Sequence, residues 1–229
     1  MSPAGPREDF PDRVTLMAAL AGRVAGLLAE AIAARGRATL AVPGGTTPGP
    51  FLELLSETDL DWSRVSVMLT DERFVPESSE RSNTALLRRT LLKGRAAAAT
   101  LVPLTAEGES PEAVLPGLAE AVRAALPLDV CVLGMGADMH TASIFPGADK
   151  LAEALAPDAP ELLPMRAPGA PEPRITLTAP VLSSARHIFV LLTGAEKAEA
   201  LARALTPGPT EEAPVRAVLS HGATVVYAP

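Results

Sequence analysis

The stretch DVCVLGMGADMHTASIFPG, residues Asp129 to Gly147, is the most informative part of this chain. Its first five residues, Asp129–Leu133, are an apolar run that is typical of a strand buried on both faces of a parallel sheet. The run continues directly into a segment with two glycines, an acid, a histidine and two hydroxyl side chains. In α/β proteins ligands bind where parallel strands end, so this segment is a candidate functional loop.

Apolar strands alternate with helical patterns along the whole chain. Besides Asp129–Leu133, strands are predicted at Ala38–Val42, Val65–Thr70, Thr100–Pro103, His187–Leu192 and Ala223–Tyr227, with an edge strand at Arg174–Thr178. Helices are predicted at residues 12–35, Phe51–Leu55, Thr84–Leu92, Pro111–Leu126, Ala195–Leu205 and Val215–Ser220. This alternation predicts an α/β fold with a mostly parallel, Rossmann-like sheet that carries helices on both faces.

One domain is predicted over residues 1–229. The length suits a single large domain, and the 48% of hydrophobic residues can supply a substantial core. Residues 1–11 are expected to form a loose N-terminal arm. Residues 156–173 are rich in Pro, Gly and Ala and are expected to form a surface loop.

Composition also limits the partners and the location. The formal net charge is -7 without a basic run, so no nucleic-acid partner is expected, because binding to phosphate backbones needs clustered Lys and Arg. Neither a signal peptide nor an uninterrupted apolar window of about 18 residues is found, so no membrane association is expected. The single cysteine, Cys131, cannot form an intramolecular disulfide, which fits a reducing compartment. We therefore expect a cytoplasmic protein. A monomer or a weak homodimer is also expected.

The loop after the first predicted strand, Pro43–Pro48, is the first of four polar loops that follow strands. Gly44 and Gly45 allow backbone N–H groups to approach a ligand closely. Thr47 suits a helix N-cap and Pro48 the first helical position, and free N–H groups at a helix start bind phosphate or carboxylate. An ordinary capped turn explains the same residues equally well.

The second loop carries Asp71, Glu72 and Arg73, and Asn83 follows at the start of a helix, where it is expected to act as the cap. Arg73 can bind a phosphate with two parallel hydrogen bonds. Asp71 can accept a proton or hold Arg73 in place. A local salt-bridge cluster is the alternative. A metal site is not supported, because no His or Cys lies nearby.

His140 and Asp138, two residues apart, give the third loop its chemistry. A histidine can take or give a proton near neutral pH, which suits general acid–base catalysis. The alternative is a histidine that only hydrogen-bonds its own loop. A dinucleotide fingerprint is not supported, because Met139 replaces the third glycine and Phe145–Gly147 ends any helix after about two turns.

The fourth loop places Lys197 in the first turn of the predicted Ala195–Leu205 helix, after Thr193 and Gly194. A lysine there is unfavourable for the helix dipole unless an anion is bound at the helix start. An exposed lysine that reaches solvent is the alternative. Because the loops follow parallel strands, we expect all four to meet at one edge of the sheet.

In order along the chain, the four loops resemble the sequence signature of the 6-phosphogluconolactonases. The matching segments are Pro43–Pro48, Asp71–Pro76 with Ser82 and Asn83, Gly134–Gly147, and Thr193–Lys197. The resemblance spans roughly residues 12–228, and four ordered motifs are far more specific than one. It implies the fold of the glucosamine-6-phosphate deaminases and ribose-5-phosphate isomerases. It also implies hydrolysis of 6-phosphoglucono-δ-lactone in the oxidative pentose phosphate pathway, without a cofactor.

The expected ligand is thus a small phosphorylated sugar lactone, and residues can be assigned to it. Those expected to bind the substrate or its phosphate are Gly44, Gly45, Thr46, Arg73, Asn83 and Lys197. Asn83 is expected to act mainly by fixing the loop that holds Arg73. His140 is expected to take a proton from the attacking water, with Asp71 or Asp138 orienting the histidine or the water.

Met139 departs from the family pattern, which has glycine at this position. If the backbone there has a positive φ, a methionine is strained. Pro43, where the family often has serine, is a milder change.

Two other functions remain open. A glucosamine-6-phosphate deaminase/isomerase resembles the chain around Asp71 and His140, but it carries Ala-Phe-Asn-Glu-Pro where this chain has Ala142–Pro146. The missing glutamate removes an acid/base group that opening of the sugar ring would need. A non-catalytic sugar-phosphate sensor would keep Arg73 and Lys197 but need not keep His140.

Overall fold

The computed structural model of the protein describes residues 5–229. Their strands are β1 (Arg7–Asp9), β2 (Ala38–Val42), β3 (Val65–Leu69), β4 (Asp71–Arg73), β5 (Thr100–Leu101), β6 (Val130–Leu133), β7 (Leu162–Ala167), β8 (Ala170–Leu177), β9 (His187–Thr193) and β10 (Thr224–Ala228). Their α-helices are α1 (Arg13–Arg35), α2 (Gly49–Ser56), α3 (Asn83–Thr90), α4 (Pro111–Ala125), α5 (Leu151–Leu155), α6 (Ala179–Ser183), α7 (Ala195–Leu205) and α8 (Arg216–Leu219).

A seven-stranded sheet forms the centre of the fold. Its order is β1-β10-β9-β6-β2-β3-β5, and every neighbouring pair is parallel. All side chains of β2 and β6 are buried, which explains why these strands are continuous apolar runs. The predicted α/β fold with a mostly parallel sheet is confirmed. Because β9, β6 and β2 are neighbours, the loops that follow them share one edge of the sheet.

The helix α1 packs against β2 and β10. It starts at the cap Asp12, whose side chain accepts a hydrogen bond from the Thr15 N–H at 2.8 Å, and it ends at Gly36 with a φ of 74°. By length and composition alone, α1 is apolar enough to cross a bilayer. Its buried stripe consists of Leu16, Met17, Leu20, Ala21, Val24, Leu28 and Ala31. Packing of this stripe in the core accounts for the apolar sequence.

The small second sheet is antiparallel, in the order β4-β8-β7, and it corrects the expected surface loop at residues 156–173. That region contains β7 and the start of β8. Its Pro, Gly and Ala content indicated a loop, but Leu162, Leu163 and Met165 are buried and their backbones pair with β8. Burial of these few large side chains outweighs the loop-like composition around them.

The strand predicted at Arg174–Thr178 is not an edge strand. It belongs to β8, which pairs with β4 on one side and β7 on the other. This pairing places Arg174 directly opposite Arg73. The sequence pattern did not reveal it, because β4 is only three residues long and lies about a hundred residues earlier.

The N-terminal arm, expected to be loose over residues 1–11, is partly ordered. Arg7–Asp9 form β1, which pairs with Val225–Tyr227 of β10. The Phe10 N–H extends this pairing with a 2.8 Å hydrogen bond to Tyr227 O. Charged side chains are common on such an edge strand, where only the backbone is paired. Residues 1–4 lie outside the described residues.

Two helix starts differ from the predicted caps. Ser82, and not Asn83, caps α3, since Ser82 Oγ accepts a hydrogen bond from the Ala85 N–H at 3.1 Å. The helix α2 begins after Pro48, and no side chain caps it. Asn83 and Thr47 are therefore free of capping roles, and both line the cavity at the candidate active site.

Candidate active site

A cavity of about 430 Å³ opens where the loops after β2, β6 and β9 meet β4. The residues predicted for the site that line it are Gly44, Gly45, Thr46, Asp71, Arg73, Asn83, His140 and Lys197. Asp138 does not line the cavity and contacts His140 instead. Residues that are far apart in the chain thus share one crevice.

The imidazole of His140 is held from two sides. Its Nδ1 lies 2.5 Å from Oδ1 of Asp138, and its ring packs on Phe145 at a centroid distance of 4.2 Å. Burial alone would raise the pKa of Asp138, but the hydrogen bonds and charge of His140 outweigh this effect and lower that pKa. Asp138 is therefore ionised at neutral pH. It favours the tautomer that carries its proton on Nδ1, which leaves Nε2 as a base.

The loop from Gly136 to His140 closes on itself. The Gly136 N–H donates to His140 O and the Met139 N–H donates to Gly136 O, both at 3.0 Å. Met139 has a φ of 66°, so methionine occupies a conformation that glycine adopts more easily. At Gly136 no larger residue fits, because a Cβ would lie 2.2 Å from both Asp138 Oδ1 and His140 Nδ1. The shape of this loop holds the acid against the imidazole.

The Gly44–Thr47 turn offers backbone donors to the cavity. Within residues 5–229, none of its four N–H groups donates a hydrogen bond. Gly45 has a φ of 88°, which glycine adopts without strain. A Cβ on Gly44 would lie 2.1 Å from Cγ of Asn83, so only glycine allows α3 to approach this closely. Unpaired N–H groups in front of a helix are suited to binding an anion.

Glu72 is a buried carboxylate that ties β4 to the start of α3. It accepts hydrogen bonds from the N–H groups of Asn83 and Thr84 at 2.8 and 2.6 Å, and from Thr84 Oγ1 at 2.7 Å. Its negative charge also suits a helix N-terminus. The side-chain amide of Asn83 then donates to Asp71 O at 3.2 Å. Glu72 thereby fixes Asn83 between β4 and the Gly44–Thr47 turn.

Arg174 lines the same cavity, although the sequence analysis did not select it. Its Nη1 lies 3.8 Å from Oδ2 of Asp71, and its guanidinium carbon lies 5.9 Å from the Phe145 ring centroid. Asp71 accepts a hydrogen bond from Ser143 Oγ at 2.5 Å, whereas the partner of the His140 ring is Asp138. Asp71 thus anchors Ser143 and Arg174 and does not orient the histidine.

Two arginines that line this cavity each have a side-chain N–H group that makes no hydrogen bond in the described part of the chain. Arg73 and Arg174 are paired across β4 and β8, and the Nε of each is buried without a hydrogen-bond partner in the described part of the chain. Burial lowers the pKa of Arg174, and the charge of Arg73 adds to this effect while Asp71 opposes it. Adjacent guanidinium groups with unused donors favour an anionic ligand.

Lys197 reaches the cavity from the first turn of α7. Gly194, with a φ of 89°, turns the chain from β9 into this helix. Across residues 5–229, Lys197 has no ion-pair partner, so its charge adds to that of the two arginines.

Neither a metal cluster nor a reactive thiol is found in the described part of the chain. No group of three or more His, Cys, Asp or Glu side chains between residues 5 and 229 is arranged to hold a metal ion. Cys131 is buried in β6, and burial raises the pKa of its thiol, so it packs as a small apolar side chain.

Arg174, Ser143 and the role of Glu72 were not predicted from the sequence. A charged residue at the start of the predicted strand Arg174–Thr178 indicates that Arg174 needs a polar partner, but the local sequence does not indicate which partner or which site. No comparable sequence signal marks Ser143 or Glu72. The partner of Ser143 lies 72 residues away in the chain, and the partners of Glu72 lie 10–12 residues away.

The sequence model of the family described as glucosamine-6-phosphate isomerases/6-phosphogluconolactonase matches residues 11–227. The chain belongs to this family. A family relative, the 6-phosphogluconolactonase of Mesorhizobium japonicum, is 50% identical over 212 residues, covering 92% of this chain and 88% of the relative. The 6-phosphogluconolactonase of Rhizobium meliloti is 47% identical over 218 residues, covering 94% of each chain.

A solved structure of the 6-phosphogluconolactonase/isomerase family has the same fold. The crystal structure of a 6-phosphogluconolactonase from Shewanella baltica OS155 aligns with a TM-score of 0.95 and 35% identity, covering 98% of both chains. The family membership expected from the four loop motifs is thus confirmed.

Proposed function

We propose that the chain hydrolyses 6-phospho-D-glucono-1,5-lactone to 6-phospho-D-gluconate, a carboxylic-ester hydrolysis of the oxidative pentose phosphate pathway. The single observation behind this proposal is an imidazole, oriented by Asp138, in a cavity that also holds three cationic side chains. The cations are Arg73, Arg174 and Lys197, which suit a phosphorylated ligand. Relatives with the name 6-phosphogluconolactonase, at up to 50% identity, support the same reaction.

His140 acts first as the base. Its Nε2 takes a proton from a water molecule as the water oxygen bonds to C1 of the lactone, and the carbonyl electron pair moves onto the carbonyl oxygen. The carboxylate of Asp138 stabilises the imidazolium that forms, because it accepts the Nδ1 proton in a hydrogen bond.

His140 acts next as the acid. The tetrahedral intermediate collapses, the bond between C1 and the ring oxygen breaks, and the imidazolium returns its proton to that oxygen. The products are the free hydroxyl and the open-chain acid, which loses its proton to solvent. Arg174 is the donor that we assign to the negative carbonyl oxygen of the intermediate, because it contacts the Phe145 ring that also packs on His140.

The substrate phosphate is assigned to the Gly44–Thr47 turn. The unpaired N–H groups of this turn can donate to the phosphate oxygens, and Lys197 and Arg73 offset their charge. Asn83 supports the turn through its close packing on Gly44 and its bond to Asp71 O.

A glucosamine-6-phosphate deaminase/isomerase is the alternative within the family. Such a reaction needs a further acid/base group, and among the described residues that line the cavity Asp71 is the only carboxylate. Asp71 is already bonded to Ser143. A sugar-phosphate sensor without activity is the second alternative.

One assay separates the three functions. Proton release from freshly prepared lactone is followed against uncatalysed hydrolysis, and ammonia release from glucosamine 6-phosphate is measured in parallel. We expect lactone hydrolysis well above background and no ammonia. Ammonia release without lactone hydrolysis would support the deaminase, and tight binding of 6-phosphogluconate without turnover would support the sensor.

The setting of the reaction is also part of the proposal. The enzyme works in the cytoplasm as a monomer or weak homodimer, needs no cofactor, and binds neither nucleic acid nor membrane. The net charge of -7 supports the absence of a nucleic-acid partner. Size-exclusion chromatography with light scattering measures the oligomeric state, and a stable tetramer would contradict this part of the proposal.

A further inference from the structure

A second cavity of about 250 Å³ adjoins the candidate active site. Thr46, Thr47 and Thr193 line both cavities, so the two spaces share a wall of hydroxyl side chains. The other lining residues come from the start of α1 and from Pro50, and Arg13 is the charged residue among them. A ligand at the Gly44–Thr47 turn can therefore be reached from two sides.

Arg13 is the first residue of α1, and its guanidinium lies over the start of α7. A Cβ built on Gly194 would lie 3.6 Å from Nη2 of Arg13. The Nε of Arg13 donates to Pro229 O at 3.2 Å, whereas its Nη1 and Nη2 have no hydrogen-bond partner within residues 5–229. Two donor groups thus remain open beside the shared wall.

Arg13 and Lys197 both lie in the first turn of a helix, Arg13 as the first residue of α1 and Lys197 as the third residue of α7. Each cation lies in a first turn, where the helix dipole disfavours positive charge. Neither is paired with an Asp or Glu side chain in the described part of the chain, and the one hydrogen-bond acceptor of the Arg13 guanidinium there is O of Pro229, the last residue of the sequence. An anion bound at the shared wall would make the electrostatic contributions of Arg13 and Lys197 favourable instead of unfavourable.

We infer that Arg13 is a further binding residue for the phosphoryl group of the substrate, acting together with Lys197. The identity of that substrate rests on the proposed function. A phosphoryl group carries about 1.5 to 2 negative charges near neutral pH and three strong acceptor oxygens, so it can accept from Arg13 in addition to Lys197, Arg73 and the N–H groups of the Gly44–Thr47 turn. The second cavity gives Arg13 its access to the phosphate end of the site.

The test measures binding of 6-phosphogluconate by calorimetry, so that it does not depend on turnover. Arg13→Gln removes the charge, and Arg13→Met serves as a second charge-removing variant that keeps the apolar stem. Arg37→Gln is the matched control, because Arg37 is exposed and precedes β2, at the opposite end of that strand from the cavity. Thermal unfolding verifies that each variant is folded.

We expect Arg13→Gln and Arg13→Met to bind 6-phosphogluconate about tenfold more weakly than the wild type, because each loses about one hydrogen bond to a charged group. Arg13→Lys should lose no more than about threefold, and Arg37→Gln should match the wild type. The lactone KM should rise in parallel, with a smaller change in kcat. Binding by Arg13→Gln or Arg13→Met within twofold of Arg37→Gln would overturn the inference, and so would an Arg13→Lys variant as weak as Arg13→Gln.

Failure of the inference and failure of the proposed function give different results. A chain that binds 6-phosphogluconate through Arg13 but does not hydrolyse the lactone refutes only the proposed function. Lactone hydrolysis by Arg13→Gln with the wild-type KM refutes only the role of Arg13.

Discussion

The Nδ1 atom of His140 lies 2.5 Å from Oδ1 of Asp138, and the residue between them, Met139, has a φ of 66°. The turn through Met139 brings the carboxylate back onto the imidazole, although only one residue separates the two. A proton on Nδ1, facing the carboxylate, leaves Nε2 free to exchange protons with a ligand. In the proposed mechanism, the acid–base chemistry of the site therefore depends on a backbone conformation that methionine disfavours.

Asp138→Asn is expected to lower kcat/KM by at least about tenfold. Burial raises the pKa of Asp138, but the hydrogen bond and charge of His140 outweigh it and lower that pKa. The same hydrogen bond orients the imidazole in the proposed mechanism, and Asp138→Asn removes the charge that accepts it.

The measurement is kcat/KM for lactone hydrolysis by the wild type and Asp138→Asn. Asp158→Asn is the control, since Asp158 is exposed. An Asp138→Asn variant with the same kcat/KM as Asp158→Asn would contradict the assigned pair.

Substitutions of Met139 test whether the backbone there is strained, because a strained and an unstrained position predict opposite orders of stability for the Gly and Ala variants. Met139→Ala and Met139→Gly both remove the side chain beyond Cβ, but only glycine also lacks the Cβ that disfavours the positive φ. We expect Met139→Gly to be more stable than Met139→Ala by about 1 kcal/mol in urea unfolding. At Ala18, an exposed position inside α1, the order should be opposite, with Ala18→Gly less stable than wild type by about 1 kcal/mol. If Met139→Gly is the less stable of the pair, the loop is not strained there.

Glu72→Gln is expected to reduce the free energy of unfolding by about 2–3 kcal/mol. The two carboxylate oxygens accept from backbone and hydroxyl donors of α3, and glutamine would turn an amide N–H₂ towards some of those donors. The exposed Glu107→Gln is the control and should stay within about 0.5 kcal/mol of wild type. Equal stability of the two variants would show that Glu72 does not hold α3.

Much of the fold follows from local patterns. The apolar run at Ala38–Val42 predicted the strand β2 with its observed bounds. Helical spacing, with Asp12 and Gly36 as caps, predicted the bounds of α1 to within one residue. Strands buried on both faces and joined by helices leave few alternatives to a parallel sheet. The placement of Gly44 and His140 at one edge then follows from the loops after β2 and β6.

The small sheet could not be predicted in the same way. Its strands β4 and β8 pair Asp71–Arg73 with Arg174–Thr176 across a hundred residues, and no local pattern encodes this partnership. The composition of residues 156–173 also indicates a loop, because Pro and Gly outnumber the few large apolar side chains that become buried. For this reason the contribution of Arg174 to the cavity became visible only in the structure.

The central claim is that the imidazole of His140 is the base that activates water. The most direct measurement compares kcat/KM for lactone hydrolysis by wild type and His140→Ala, with the uncatalysed rate subtracted. His187→Ala is the control, because His187 is an exposed residue at the start of β9, away from the cavity. We predict that His140→Ala loses about 10²–10⁴-fold, the usual share of general base catalysis, while His187→Ala keeps wild-type activity. A His140→Ala variant that retains more than a tenth of wild-type kcat/KM would contradict the account.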